Sequence, residues 1–221
     1  MSKSVPLAEL EKQATHLAKT LRLNTDAEIY RSYGKDPWAP LIYGGSLKAD
    51  IGFFGRDPGR DEIRHWEPLI GSSGKRVRAA VEPYLNGRTP SQGALFSNTV
   101  PYKQVGNKAW GTKVIQAFRP IVTELLVAHW KGTHLVTLGN EAFHWFEGAG
   151  ELRDEDEFTE YWKKEDRYER HLTVEVPSLL SSKRKRITLY PLPHPSPLNA
   201  TWFKRFPDLL DRQLGTAFRS I

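Results

Sequence analysis

A chain of 221 residues with 39% apolar side chains can bury a core of its own, and a single domain over residues 1–221 is the expected organisation. A net charge of +6 and a pI near 9.4 suit a polyanionic partner without identifying one. Zero cysteines exclude disulfides and thiolate-held zinc or iron-sulfur sites, and no apolar run reaches the length of a membrane span. The start, Met1-Ser2-Lys3-Ser4, leads into a polar helix, not a signal peptide, so a cytoplasmic protein is expected, nuclear or organellar in a eukaryote. The seven histidines form no HxxxH or HExxH pattern, and neither a metal nor a cofactor is expected.

Leu7, Leu10, Ala14, Leu17, Ala18 and Leu21 recur at helical spacing, which predicts an amphipathic helix ending before Asn24. A short second helix starts at the capping pair Thr25-Asp26, giving an N-terminal helical part over residues 1–45. In the loop from Lys35 to Pro40, Trp38 can cover the core or offer a face for stacking a base. Ile51 to Gly55 then reads as a buried strand, too short for a helix. The turn Gly55-Arg56-Asp57-Pro58-Gly59 stops it, because Pro58 fixes φ and Gly59 allows a positive φ. Charge is thereby placed at the strand's carboxyl end, where open α/β sheets bind ligands. Taken alone, the segment reads more readily as a strand and a Pro-Gly turn in which Asp57 is a local cap.

Lys75 to Val81 reads as a helix opening with free amides and three cations, Lys75, Arg76 and Arg78, on a solvated face or against a DNA backbone. The piece Gly71-Ser72-Ser73-Gly74-Lys75 is not a P-loop, which would need glycine at Leu69 and serine or threonine at Arg76. Ala94 to Val100 is the second strand and carries Ser97-Asn98. A helix from Thr112 to Lys131 and a third strand from His134 to Gly139 follow. Residues 150–170 are dense in both signs of charge and read as an exposed helix or an insertion.

His171 to Val176 alternates and is expected to pair with Arg186 to Leu192. The basic tip between them, with Lys183 and Arg184, is a solvated turn, a nuclear signal or a clamp on DNA phosphates. Ile187 to Tyr190 runs into Pro191-Leu192-Pro193-His194-Pro195-Ser196-Pro197-Leu198-Asn199, a stiff loop that presents an imidazole, a hydroxyl and a leucine. A helix from Thr201 to about Phe218 ends the chain. Strands alternating with helices argue for a parallel sheet covered on both faces.

With GxDPG after its first strand and HPSPLN after its last, the chain resembles the uracil-DNA glycosylase superfamily from about Ala49 to Phe206. HPSPL is close to the form found in the uracil-specific branch, whereas Glu67 to Gly74 looks more like the iron-sulfur branch. That branch holds its cluster with four cysteines, so a chain without cysteine is no ordinary member of it. The resemblance implies a single-domain, three-layer α/β/α fold with a central four-stranded parallel sheet, both motifs meeting at its carboxyl edge.

It also implies roles. Asp57 would orient the attacking water or stabilise the oxocarbenium ion, and a neutral His194 would donate to the pyrimidine O2. Asn98 would read the base edge. Pro195, Ser196 and Pro197 would grip phosphates while Leu198 fills the vacated stack. Lys75, Arg76, Lys183 and Arg184 are candidate DNA contacts. Two positions depart from the family pattern. Gly59 stands where a tyrosine blocks the pyrimidine C5 position in the uracil-specific branch, and Leu69 stands where the iron-sulfur branch stacks a phenylalanine. Phe54, Phe53 or Trp66 would have to supply the ring. The implied protein is a monomeric, monofunctional DNA glycosylase acting on uracil or a C5-modified pyrimidine, in base-excision repair or anti-phage defence. A catalytically silent DNA- or RNA-binding domain is the alternative, because Arg56 can neutralise Asp57.

Overall fold

The computed structural model describes residues 4–152, 157–196 and 199–220. Its frame is one mixed sheet of seven strands: β1 (Tyr43–Gly45), β2 (Ile51–Gly55), β3 (Ala94–Asn98), β4 (His134–Leu138), β5 (Glu151–Leu152), β6 (Leu172–Pro177) and β7 (Arg184–Leu192), in the spatial order β1-β3-β2-β4-β7-β6-β5. The expected parallel unit is its centre, with β3, β2, β4 and β7 side by side. Three antiparallel strands extend it: β1 on β3 at one edge, β6 and β5 at the other, of which β1 and β5 go beyond the expectation. The β6–β7 pairing is the one foreseen from their alternation.

Along the chain, α1 (Leu7–Thr20) and α2 (Ala27–Ser32) precede the sheet, and α3 (Arg60–His65), α4 (Ser72–Val81) and α5 (Pro90–Gly93) connect β2 to β3. Helix α6 (Thr112–Glu124) continues through a π turn, Leu125–His129, so the single predicted helix changes pitch before β4. Then come α7 (Asn140–His144), α8 (Phe158–Lys163), α9 (Ala200–Phe203) and α10 (Phe206–Arg219). None of the helices in the described residues is long and apolar enough to cross a membrane.

Side chains of a strand alternate between faces, and β2 shows the consequence. Ile51 and Phe53 join Val77 and Val81 of α4 and Leu209 and Leu210 of α10 on one side. Phe54 turns to the other side, among Val122, Leu126, Phe143, Trp145 and Phe146. Every residue of β2 and β3 is buried, as expected of strands covered on both faces. The charged stretch before β6 is more integrated than its composition suggests, since Phe158 and Tyr161 of α8 are buried in the second layer. Trp38 packs against the cluster formed by α1 and α6, which favours its core reading.

Candidate active site

The four parallel strands end at one edge, where a cleft of about 920 Å³ opens. Arg56, Asp57, Gly59, Leu69, Asn98, Gly139, Glu141, His194, Pro195 and Ser196 are among its lining residues. The two motifs, more than half the chain apart in sequence, therefore face one space. The fold brings them together because β2 and β7 run parallel with only β4 between them.

Asp57 follows β2 directly. The turn that carries it is strapped to the end of β3: the Thr99 amide donates to the Gly55 carbonyl at 3.0 Å, and the Val100 amide and the Thr99 hydroxyl both donate to the Arg56 carbonyl. The Asp57 side chain is only 4% exposed, and burial pushes its carboxyl above the usual carboxylate range. The Arg56 guanidinium, donating to Asp57 from Nε, and Lys103 oppose this push, while Glu141 adds to it. Arg56 also reaches Glu141 at 3.5 Å and the Asn107 carbonyl at 3.2 Å, so it bridges the buried Asp57 to the more exposed Glu141. Arg56 itself titrates above its ordinary value: burial works against its charge, and Asp57 and Glu141 outweigh the burial.

His194 sits on the loop after β7. Gly139, after β4, adopts φ 94°, and a Cβ there would lie 3.2 Å from the His194 Cβ. The strand-Gly-helix element is thus the floor under the imidazole. The Ser73 hydroxyl donates to the Pro195 carbonyl at 3.2 Å, tying the loop to the start of α4. One side of His194 is open to solvent, yet loss of water around the ring holds its pKa below the ordinary histidine value. The positive charge of Arg56 adds to this, and Glu141 opposes it. The imidazole is accordingly neutral at pH 7 and can donate one hydrogen bond without carrying charge.

Asn98 closes the far side of the cleft at the end of β3. It is 2% exposed, and its Nδ2 has no acceptor among the described residues. A buried amide without a partner costs about 1–3 kcal/mol, which is tolerable where a ligand supplies the missing acceptor. Gly55 makes the room, because a Cβ there would stand 2.8 Å from Asn98 Oδ1.

The remaining wall joins Gly59 and Leu69, both expected beside the base, to Glu62, which sequence reasoning passed over. Gly59 has φ −89° and ψ −171°, an extended conformation, so the predicted positive φ is absent. Its lack of a side chain matters for another reason: a Cβ would sit 2.6 Å from Glu62 Oε2. Glu62 is buried on α3, and its Oε1 accepts the Gly71 amide at 2.9 Å. Leu69 lines the cleft with φ 53°, held there by Arg78, which donates to the carbonyls of Leu69 at 2.7 Å and Pro68 at 2.9 Å and stacks on Phe96. Arg78 is a brace and not a free cation of a basic face.

Phe54 is corrected by the structure. It is fully buried, with its ring edge-on to Trp145 and Phe146 on the opposite side of β2's backbone, and it does not line the cleft. Phe53 stacks on Phe96 in the core, and Trp66 packs on Tyr30. Among the described cleft-lining residues the imidazole of His194 is the one aromatic ring. No described residue therefore replaces the missing phenylalanine.

Lys75 and Arg76 are exposed on α4, beside the cleft, with Arg76 lying 4.0 Å over the ring of Phe203. Lys183 and Arg184 are elsewhere. They stand at the amino end of β7, about 25–30 Å from the motif at its carboxyl end at ~3.3 Å per residue. Arg184 instead faces Glu175 of β6 at 3.6 Å. The strand's direction rules out a clamp at the cleft from this tip. Pro197 and Leu198 lie outside the described residues.

A crevice outside the carboxyl ends of parallel strands, with an acid and an imidazole on its walls, defines the ligand-binding class of open α/β domains. Residues 42–215 match the family model of the uracil DNA glycosylase superfamily, and the chain belongs to that family. Membership gives a DNA-glycosylase type of function in general and DNA as the partner. A comparison with curated proteins finds no match.

Proposed function

We propose that the protein is a monofunctional DNA glycosylase that extrudes a pyrimidine from DNA and hydrolyses its N-glycosidic bond. The observation that carries this reading is the shared cleft, in which a desolvated carboxylate, a neutral imidazole and an amide lacking an acceptor converge. The C1′–N1 bond breaks with its electron pair leaving on the base. Water supplies the hydroxyl at C1′, and its proton ends on the released base. Asp57 lies beneath the sugar, where positive charge develops, and orients the water. His194 donates to O2 as negative charge builds there. Asn98 reads N3 and the group at C4. Pro195 and Ser196, together with Pro197 and Leu198, hold the strand around the extruded nucleotide, and Lys75 and Arg76 contact its backbone.

The substrate is uracil or a C5-substituted pyrimidine, in repair or in defence against phage DNA carrying such bases. Gly59 leaves the C5 side without the tyrosine's bulk, and Leu69 offers no π face. Both features favour a pocket less strict than one restricted to uracil.

Incubation with oligonucleotides carrying uracil, 5-hydroxymethyluracil, 5-hydroxymethylcytosine or its glucosylated form, with the freed base identified by mass, tests the reading. Asp57→Asn and His194→Ala are each expected to lower release by at least about tenfold, ~1.4 kcal/mol of transition-state stabilisation. Absence of release from every substrate sinks it. One observation favours a second reading, a catalytically silent DNA- or RNA-binding domain: Arg56 already occupies the Asp57 carboxylate. Nucleic-acid binding without abasic-site formation is its signature.

A further inference from the structure

We infer that Glu62 makes the pocket selective for pyrimidines whose C5 substituent carries a hydrogen-bond donor, such as a hydroxymethyl or aminomethyl group. The inference rests on the proposed glycosylase reading and gives a role to Glu62, a lining residue that reading leaves unused. Along the sheet edge the order is Asn98 on β3, Asp57 after β2, Gly139 after β4 and His194 after β7. A pyrimidine with its sugar over Asp57, its O2 at His194 and its N3 edge at Asn98 has only C5 and C6 left to face the wall from α3 and the start of α4. That wall is Gly59, Glu62 and Gly71.

Its chemistry is defined. The Glu62 carboxylate is wedged between two glycines: a Cβ on Gly59 would stand 2.6 Å from Oε2, and one on Gly71 would stand 3.0 Å from Oε1. Any larger residue at either position would push the carboxylate aside. Oε1 is committed to the Gly71 amide, whereas Oε2 accepts no hydrogen bond from the described residues. The cleft is thus lined by a fixed acceptor at one wall and, at another, by the Asn98 amide that lacks one. A methyl at C5 leaves Oε2 desolvated and unpaired, whereas a hydroxyl or ammonium one carbon further out satisfies it. Buried polar groups left unpaired are what make such sites discriminate strongly.

The test is single-turnover base release by the full chain from oligonucleotides bearing thymine, 5-hydroxymethyluracil or 5-aminomethyluracil. The wild type is expected to favour each donor-bearing base over thymine by at least about tenfold. Glu62→Ala should cut both ratios by at least about fivefold, read as a greater loss on the donor-bearing bases than on thymine. Glu62→Gln keeps the shape and the acceptor for Gly71 but turns an NH₂ to the cleft. It should erase the aminomethyl preference while retaining part of the hydroxymethyl one, and it stands in if the alanine variant does not fold. A wild type that treats hydroxymethyl and methyl alike, or variants that lose all three substrates equally, overturns the inference.

Binding of the same oligonucleotides made with 2′-fluoro sugars, whose glycosidic bond resists cleavage, separates this claim from the reading beneath it. A Glu62-dependent preference in binding without any base release supports the selectivity and discards the glycosylase. No preference in either assay discards the selectivity.

Discussion

Arg56 donates from Nε to the carboxylate of Asp57, its neighbour in the chain, and so holds the buried acid at the bottom of the cleft in a pair that Glu141 and the Asn107 carbonyl extend to the surface. After burial, the charge of Arg56 is the next largest influence on the titration of both candidate catalytic groups. Burial raises Asp57 above the usual carboxylate range and Arg56 pulls it back; burial lowers His194 and Arg56 lowers it further. In the proposed mechanism Asp57 acts as the ionised carboxylate, so its protonation is expected to end activity as the pH falls. Arg56→Gln removes a positive charge that depresses both values. The acid limb of kcat/KM is therefore expected to move to higher pH, with the wild-type limb itself lying above the ordinary aspartate value. A limb that stays in place or moves down contradicts the coupling.

Asn98 offers a way to separate ligand reading from stability. Its amide nitrogen is buried without an acceptor among the described residues, a desolvation cost that a substrate would relieve. Asn98→Ala should lower kcat/KM by about a hundredfold, ~2.7 kcal/mol, while the folding free energy changes by no more than about 1 kcal/mol. Thermal melting beside the rate measurement checks both halves. A large loss of stability would make Asn98 a structural strand end.

Gly139 probes the floor beneath His194 without touching any chemical group. Its φ of 94° strains any other residue, and a Cβ would press on the His194 Cβ at 3.2 Å. Gly139→Ala is expected to cost about 1–3 kcal/mol of stability. It should also lower base release well below what residual folding explains, because a shifted imidazole no longer meets the base. Urea unfolding compared with activity per folded molecule reads the two effects separately.

Charge reversal locates the DNA. Lys75→Glu with Arg76→Glu, beside the cleft, should weaken DNA binding and reduce the slope of log affinity against log salt by about 1–2. Lys183→Glu with Arg184→Glu, at the opposite edge of the sheet, should leave that slope unchanged. Equal effects from the two pairs would put the DNA elsewhere than across the strands' carboxyl ends.

The residues themselves determined the local backbone: a fully apolar run ending in Gly55, a proline-fixed turn and a proline-stiffened loop are short-range features, and the four central strands stand where apolar length and turn chemistry put them. The positions of Asp57, Asn98 and His194 at strand ends were legible for the same reason, and the two motifs carried the family. Tertiary structure decided which way each side chain faces and what it meets. Phe54 looked available to a base, but strand alternation turns it into the layer beneath α6 and α7. Gly59 is needed for the space Glu62 occupies and not for its φ, and Arg78 braces Leu69 where a basic face was foreseen. Lys183 and Arg184 lie at the wrong end of β7 for the cleft. Each of these depends on strand direction, on register or on a neighbour far away in the chain. A period of two fixes that side chains alternate, but only packing chooses the face that becomes the site.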